Sequence, residues 1–306
     1  GDAAFKRGQW RPALRAFGGV VVASPSNLRA RLRVADALLN TGRRDLAVEV
    51  YKAIASHAVQ TGQPLVALIA TKMVLLLEPD HEDGLVALAE IYGRDSARVD
   101  AFAAGPALVS LGKEAAIALA EDDDALPMAA ARAAGAVTGI PDAARVPSLP
   151  LLSRLDVDSF LAVLGKVQLR RFADEEVIIR EGERGESFFL IADGEVLVKR
   201  DIDDEDGGVT LAHLHRGSVF GELSLISDEP RQASVVASGD VDVVELRRSD
   251  LIVAAAHNEG VSEALKGFTR ERFLRNLTAT HPFFSGLTRE ERHSVMECFR
   301  VVTFRA

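Results

Sequence analysis

Phe220-Gly221-Glu222-Leu223-Ser224-Leu225-Ile226-Ser227-Asp228-Glu229-Pro230-Arg231-Gln232-Ala233-Ser234-Val235 breaks the rhythm of the chain around it. It opens on Gly-Glu, runs through a short apolar stretch with helical character, turns at Pro230 and presents Arg231. From Leu169 onward its surroundings are short β-type runs: Val177-Ile178-Ile179, Phe188 to Ile191, Val196 to Val198, Val209 to Leu214, Val235-Val236 and Val241 to Leu246. Turn residues separate them at Gly182, Gly185, Asp193-Gly194, Asp206-Gly207-Gly208, Gly217 and Gly239-Asp240. Many short strands at even spacing predict a small antiparallel roll or barrel.

This ordered string resembles the phosphate-binding cassette of the cyclic nucleotide-binding domain family, the β-roll of cAMP receptors and kinase regulatory subunits. Arg171-Phe172, Val177 to Glu183, Phe188 to Ile191 and Asp193-Gly194-Glu195-Val196 fit the rest of that roll, so the resemblance spans about residues 150–278. It implies a site made of Phe220, Gly221, Glu222, Leu223, Ser224, Arg231, Gln232, Ala233 and Ser234, with cAMP or cGMP as ligand and no other cofactor. The residue types suit that task. Backbone N–H groups at the start of a short helix, approached closely at Gly221, point at a buried negative charge. Arg231 adds a planar donor fork that stays ionised. The resemblance gives Glu222 to the ribose 2′-hydroxyl, Leu223 to the wall of the ribose and the Ala233 amide to the phosphate.

Gln232 departs from the pattern. In the resembled kinases Thr at this place goes with guanine and Ala with adenine, while bacterial regulators often carry Ser. The reading leans weakly to cAMP, because nothing here supplies the small hydroxyl that favours guanine. Ser224 stands for a commoner Ala.

The first third has a different period. Gly8 and Gly42, Ala13 and Ala47, and Phe17 and Tyr51 are each 34 residues apart (8 to 42, 13 to 47, 17 to 51). A small turn residue, an Ala and an aromatic at that spacing resemble tetratricopeptide repeats. Pro25, seventeen residues after Gly8, fits the turn between repeats, and Gly62, Ala67 and Pro79 repeat these offsets out of phase. Residues 1–95 are therefore expected to be a helical-repeat scaffold that docks a partner protein or serves as a spacer. Residues 96–148, Ala-rich with an acidic Glu121-Asp122-Asp123-Asp124 step and Pro127, Pro141 and Pro147, read as a helical connector. The roll domain is placed at 149–280. Ser249-Asp250 is expected to cap a helix, and Glu263 to Leu277 carries Leu265, Phe268, Phe273 and Leu277 at helical spacing. At an offset of 132 residues, Pro150, Ser153, Leu155, Val163 and Phe172 match Pro282, Ser285, Leu287, Val295 and Phe304. Residues 281–306 thus look like the start of a second, truncated copy, and the missing initiator Met suggests a fragment.

Composition narrows the class. The 306 residues carry 36 Lys+Arg against 45 Asp+Glu, a net charge of −9, which opposes a general nucleic-acid surface. One cysteine, Cys298, excludes an internal disulfide framework. No apolar run reaches membrane-span length and no signal-peptide pattern opens the chain, so a cytoplasmic protein is expected. His213 and His215 share one side of a strand without a third ligand. Asp201, Asp203 and Glu205 start like a calcium loop that Asp206 and Ala212 then break. No nucleophile–base grouping is evident, so no enzyme is expected. The expected whole is an α+β multidomain chain, a helical-repeat array followed by a jelly-roll-like β-roll with flanking helices. It acts as a bacterial-type cyclic-nucleotide receptor coupling its ligand to a protein scaffold. A roll without ligand that serves only in assembly is the alternative. A further one is the regulatory part of a longer enzyme.

Overall fold

Helices and strands divide the chain where the period of its apolar residues changes. The computed structural model describes residues 1–81, 83–92, 124–137, 151–200, 208–222, 230–280, 286–288 and 290–291. The helix-like stretch 223–229, the calcium-like loop, Glu121 to Asp123, Cys298 and most of the second-copy segment lie outside them.

Six helices open the chain: α1 (Asp2–Lys6), α2 (Trp10–Ala23), α3 (Leu28–Asn40), α4 (Arg44–Gln60), α5 (Pro64–Leu77) and α6 (Asp83–Tyr92). Gly8, Gly42 and Gly62 all sit between helices with positive φ. Asn27 caps α3 by accepting the Ala30 N–H at 2.9 Å. The pairs Ala13/Ala47 and Phe17/Tyr51 are buried.

α7 (Leu126–Gly135) falls in the Ala-rich segment. It is no exposed tether, because Leu126, Ala130, Ala133 and Ala134 are fully buried and the helix packs on α2, α3 and α4. Small alanine side chains let its backbone come close. Arg31, itself fully buried, donates from Nη1 to the Ala133 and Ala134 carbonyls, both at 2.7 Å, and so caps the end of α7. Burial lowers the pKa of this guanidinium to about 10.

The second half is the roll. A short 3₁₀ turn (Leu152–Arg154) and α8 (Val157–Lys166), capped by Asp156 on the Ser159 N–H at 2.8 Å, lead into it. Its strands are β1 (Gln168–Phe172), β2 (Val177–Ile179), β3 (Ser187–Arg200), β4 (Val209–His215), β5 (Val219–Phe220) and β6 (Ser234–Arg247). All pairings are antiparallel, in the order β1-β6-β3-β4, with β2 on β6 and β5 on β3. Then come α9 (Arg248–His257) and α10 (Glu259–Thr280).

Two expectations change here. Asp193-Gly194 and Gly239-Asp240 do not end strands; each lies inside a 14-residue strand. The β3–β6 register slips between Ile191 and Asp193 and again between Asp193 and Glu195. These are bulges, which kink a strand without ending it. A Cβ on Gly194 would stand 2.6 Å from the Asp240 carbonyl oxygen, so the crossing strands demand glycine there. Ser249 and Asp250 lie within the first turn of α9; its cap position is Arg247, and no side chain caps it.

Alternation along β3 builds two cores. Phe189 and Ile191 face the inside of the roll with Ile179, Val196, Phe220 and Val243. Phe188 and Leu190 face outward into a second apolar cluster, shared with α8, α10 and the N-terminal helices. Phe268 of α10 meets Phe188 with ring centroids 5.7 Å apart. In α10 Val261, Ala264, Phe268 and Leu274 are buried; of the expected stripe Phe268 is buried, Leu265 and Leu277 are half-buried, and the Phe273 side chain lies outside what is described.

Candidate functional site

The pairing of Phe189 with Phe220 brings Gly221 beside the first residues of β3. Gly221 has φ 75°, a left-handed conformation that costs any L-residue with a Cβ. A Cβ there would also lie 2.9 Å from Arg231 Nη1 and 3.0 Å from Ile179 Cδ1. Glycine is thus required both by the turn and by the arginine that crosses it.

Arg231 is turned inward and half-buried. Its Nη1 donates to the Gly221 carbonyl at 2.7 Å and its Nη2 to the Ser187 carbonyl at 2.5 Å. Its backbone is pinned as well: the Arg231 N–H donates to the Glu183 carbonyl at 2.8 Å, and the Arg231 carbonyl accepts the Gly182 N–H at 2.9 Å. Burial pushes the guanidinium pKa down, and the carboxylates of Glu222 and Glu183 act against that shift. Among the described residues no carboxylate lies within ion-pair distance of Arg231. Its direct hydrogen bonds among the described residues go to two neutral carbonyls, with Glu222 and Glu183 acting only at longer range, and the remaining donors of its five-donor fork stay uncommitted among the described residues. A half-buried cation with spare planar donors beside a left-handed glycine is a place for a small anion.

Residues 169–258 match the cyclic nucleotide-binding domain family. Over 99 residues the chain is 35% identical to a cAMP-dependent protein kinase regulatory subunit from Mycosarcoma maydis, covering 32% of this chain and 18% of that protein. Over 122 residues it is 30% identical to human cGMP-dependent protein kinase 2, covering 40% of this chain and 16% of that protein. The chain thus spans less than a fifth of the length of either relative. Among solved structures, the regulatory domain of Toxoplasma gondii PKA, crystallised with cAMP, aligns at 26% identity and a TM-score of 0.34, over 40% of this chain and 46% of that one.

Within and around residues 169–258 the expected site residues fall into three groups. Gly221, Glu222 and Arg231 come together at the mouth of the roll, with Ala233 half-buried and Gln232 exposed nearby. Leu223 and Ser224 lie outside the described residues. Phe220 and Ser234 are not open to a ligand but built into the frame. Phe220 is 4% exposed and stacks on Phe189 at 5.2 Å, and the fully buried Ser234 hydroxyl accepts the Glu181 N–H at 2.9 Å. Both begin or end a strand, and the pleat turns them inward.

Ser187 was missed from the sequence, since a backbone acceptor has no residue-type signature. A second set of residues also escaped. Asp36 of α3, 1% exposed, takes Arg171 Nη1 at 2.7 Å, Arg33 Nη1 at 3.2 Å and the Tyr51 hydroxyl. Arg171 Nε then reaches Asp242 Oδ1 at 3.0 Å, across the β1–β6 ladder in which the two residues are direct partners. Burial works against the Arg171 charge, yet Asp36 and Asp242 together hold the guanidinium above its ordinary range. Nearby, Arg29 pairs with Asp193 at 3.1 Å, and Lys6 with Asp174 at 3.7 Å and Asp240 at 3.6 Å. The N-terminal helices therefore grip one end of the roll mainly through their cations and its aspartates. His213 and His215 are exposed on β4, and His215 Nδ1 lies 3.2 Å from Glu195 Oε1. No group of three metal-type ligands occurs among the described residues. No helix among them is long and apolar enough to cross a membrane.

Proposed function

We propose that this chain is a cytoplasmic receptor for a cyclic nucleotide, with cAMP favoured over cGMP, which passes the ligand state of its roll to a helical scaffold that docks a partner protein. The observation that carries the proposal is the guanidinium of Arg231, fixed by the Gly221 and Ser187 carbonyls with donors left over and no ion-pair partner among the described residues. A cyclic phosphodiester brings one negative charge and oxygens spaced for those donors. Glu222, the next residue after Gly221, suits the ribose 2′-hydroxyl and stays clear of the phosphate only with the sugar between them. The match of residues 169–258 and the similarity to kinases named for cAMP and cGMP support the ligand class. The scaffold part is supported by the buried Asp36–Arg171–Asp242 contact, which ties α3 to β1 and β6.

Calorimetric titration of nucleotide-stripped protein with cAMP and with cGMP tests the proposal. One of the two binds to the unmodified chain, and R231A weakens that binding by roughly 2–5 kcal/mol, because the phosphate loses its charged partner. Hydrogen exchange on the same samples changes on ligand addition in residues 249–278 and around Asp36. Equal binding by R231A overturns the site. Unchanged exchange around Asp36 overturns the coupling and leaves the site standing.

A further inference from the structure

Glu245 is a carboxylate with no business inside a roll unless something there uses it. It is 8% exposed on β6, and the pairing of Phe189 with Glu245 puts it on the same sheet face as the aromatic interior. An ionised group in such a place is tolerated only when both oxygens are occupied. They are: Oε1 accepts the Ser187 hydroxyl at 2.7 Å, and Oε2 takes Arg170 Nη1 at 3.2 Å. Arg170 is half exposed, so the charge is balanced from the solvent side, whereas Ser187 is 9% exposed and its carbonyl meets Arg231.

We infer that Glu245 is a positioning residue for the phosphate-binding arginine, acting through Ser187; the inference rests on the nucleotide-binding reading above. Ser187 opens β3, where it pairs with Arg247 of β6. Its side chain and its carbonyl do separate jobs. The hydroxyl is tied to Glu245, and the carbonyl receives Arg231 Nη2 at 2.5 Å. Fixing the side chain fixes the peptide plane at the end of the strand, and with it the direction of the carbonyl. With Ser187 and Gly221 each taking one terminal nitrogen, the guanidinium cannot rotate, and its other donors keep one heading. Affinity then gains from an arginine already set before ligand arrives. Glu245 never touches the nucleotide in this arrangement.

The test is a mutant cycle in the full chain with two readouts. The probes are cAMP and cGMP, the tighter of the two being followed. E245Q keeps the shape but removes the charge, S187A removes the hydroxyl, and R231K replaces the fork with a point donor that two carbonyls cannot orient. E245Q and S187A each weaken binding about tenfold in the unmodified background and by less than about twofold in R231K, the non-additivity expected of residues acting as one unit. In ligand-free protein, the side-chain Nε–H resonance of Arg231, assigned by its loss in R231A, shifts in E245Q and in S187A. Thermal melting confirms that each variant is folded; if E245Q does not fold, S187A carries both readouts. Equal losses in both backgrounds, or an unmoved Arg231 resonance, overturn the inference while R231A still reports on the nucleotide reading. Failure of the unmodified chain to bind either nucleotide overturns that reading, and with it the assignment of Glu245 to a ligand site, whatever the resonance does.

Discussion

Arg171 and Arg231 are two arginines of one roll with opposite electrical lives. Arg171 lies between two buried carboxylates, Asp36 and Asp242, which hold its charge firmly in place. Arg231 lies against two neutral carbonyls, and burial lowers its hold on its proton. The first has everything it needs from the chain and therefore reads as structure. The second is held in position but not neutralised, which is the condition of a residue waiting for an anion. The partners of a guanidinium, rather than its depth, separate an arginine that holds a fold together from one that serves a ligand.

The largest effect that tests this contrast is on stability. R171A leaves Asp242 buried without its ion-pair partner and Asp36 with Arg33 alone, and costs about 3 kcal/mol in denaturant unfolding, toward the low end for a broken buried pair because 34% of the Arg171 side chain reaches solvent. R231A in the same assay costs about 1 kcal/mol or less, since only hydrogen bonds to backbone are lost. Equal losses would erase the distinction. Next in size is G221A. The left-handed backbone costs about 1–2 kcal/mol with any Cβ, and that atom presses on Arg231 Nη1. Unfolding and nucleotide titration should therefore both register the change, whereas a loss confined to stability would mean that Arg231 tolerates the intrusion.

The smallest effect concerns pH. Burial raises the Asp242 carboxyl above the usual aspartate value, with Arg171 and Arg33 opposing the shift. The folded chain thus binds more protons than the unfolded chain just above that value, so this group makes stability fall as pH rises through the window. D242N removes that part of the slope, which a series of melting curves from mildly acidic to neutral pH reads directly. A slope unchanged in D242N would show that Arg171 fully offsets the burial.

The roll was legible in the sequence because its apolar residues come in short runs whose breaks carry glycine and aspartate. Those same residues misled where they mark bulges: Asp193-Gly194 and Gly239-Asp240 have turn chemistry, and only the ladder on either side shows that the strands continue. Gly221, Glu222 and Arg231 were singled out because their order resembles a family motif, and the structure sets Gly221 and Arg231 in contact. Phe220 and Ser234 were drawn into the site by adjacency alone, and the pleat sends them inside. Asp36 could not be found. An aspartate on a helix is by default a solvated residue, and its partner Arg171 lies far along the chain with no pattern linking the two. Ala133 and Ala134 show a similar limit: alanine signals helix, but only the arrival of Arg31 reveals that their carbonyls end inside the core.

The bulges around Gly194 and Gly239 divide the paired β3 and β6 into two stretches meeting along a crease. Asp193 and Asp240 border that crease, and Arg29 and Lys6 of the helices hold them. Ser187, on which Arg231 rests, lies at the end of β3 beyond that crease, so the helices that hold the crease and the arginine at the strand's end are joined by one continuous strand.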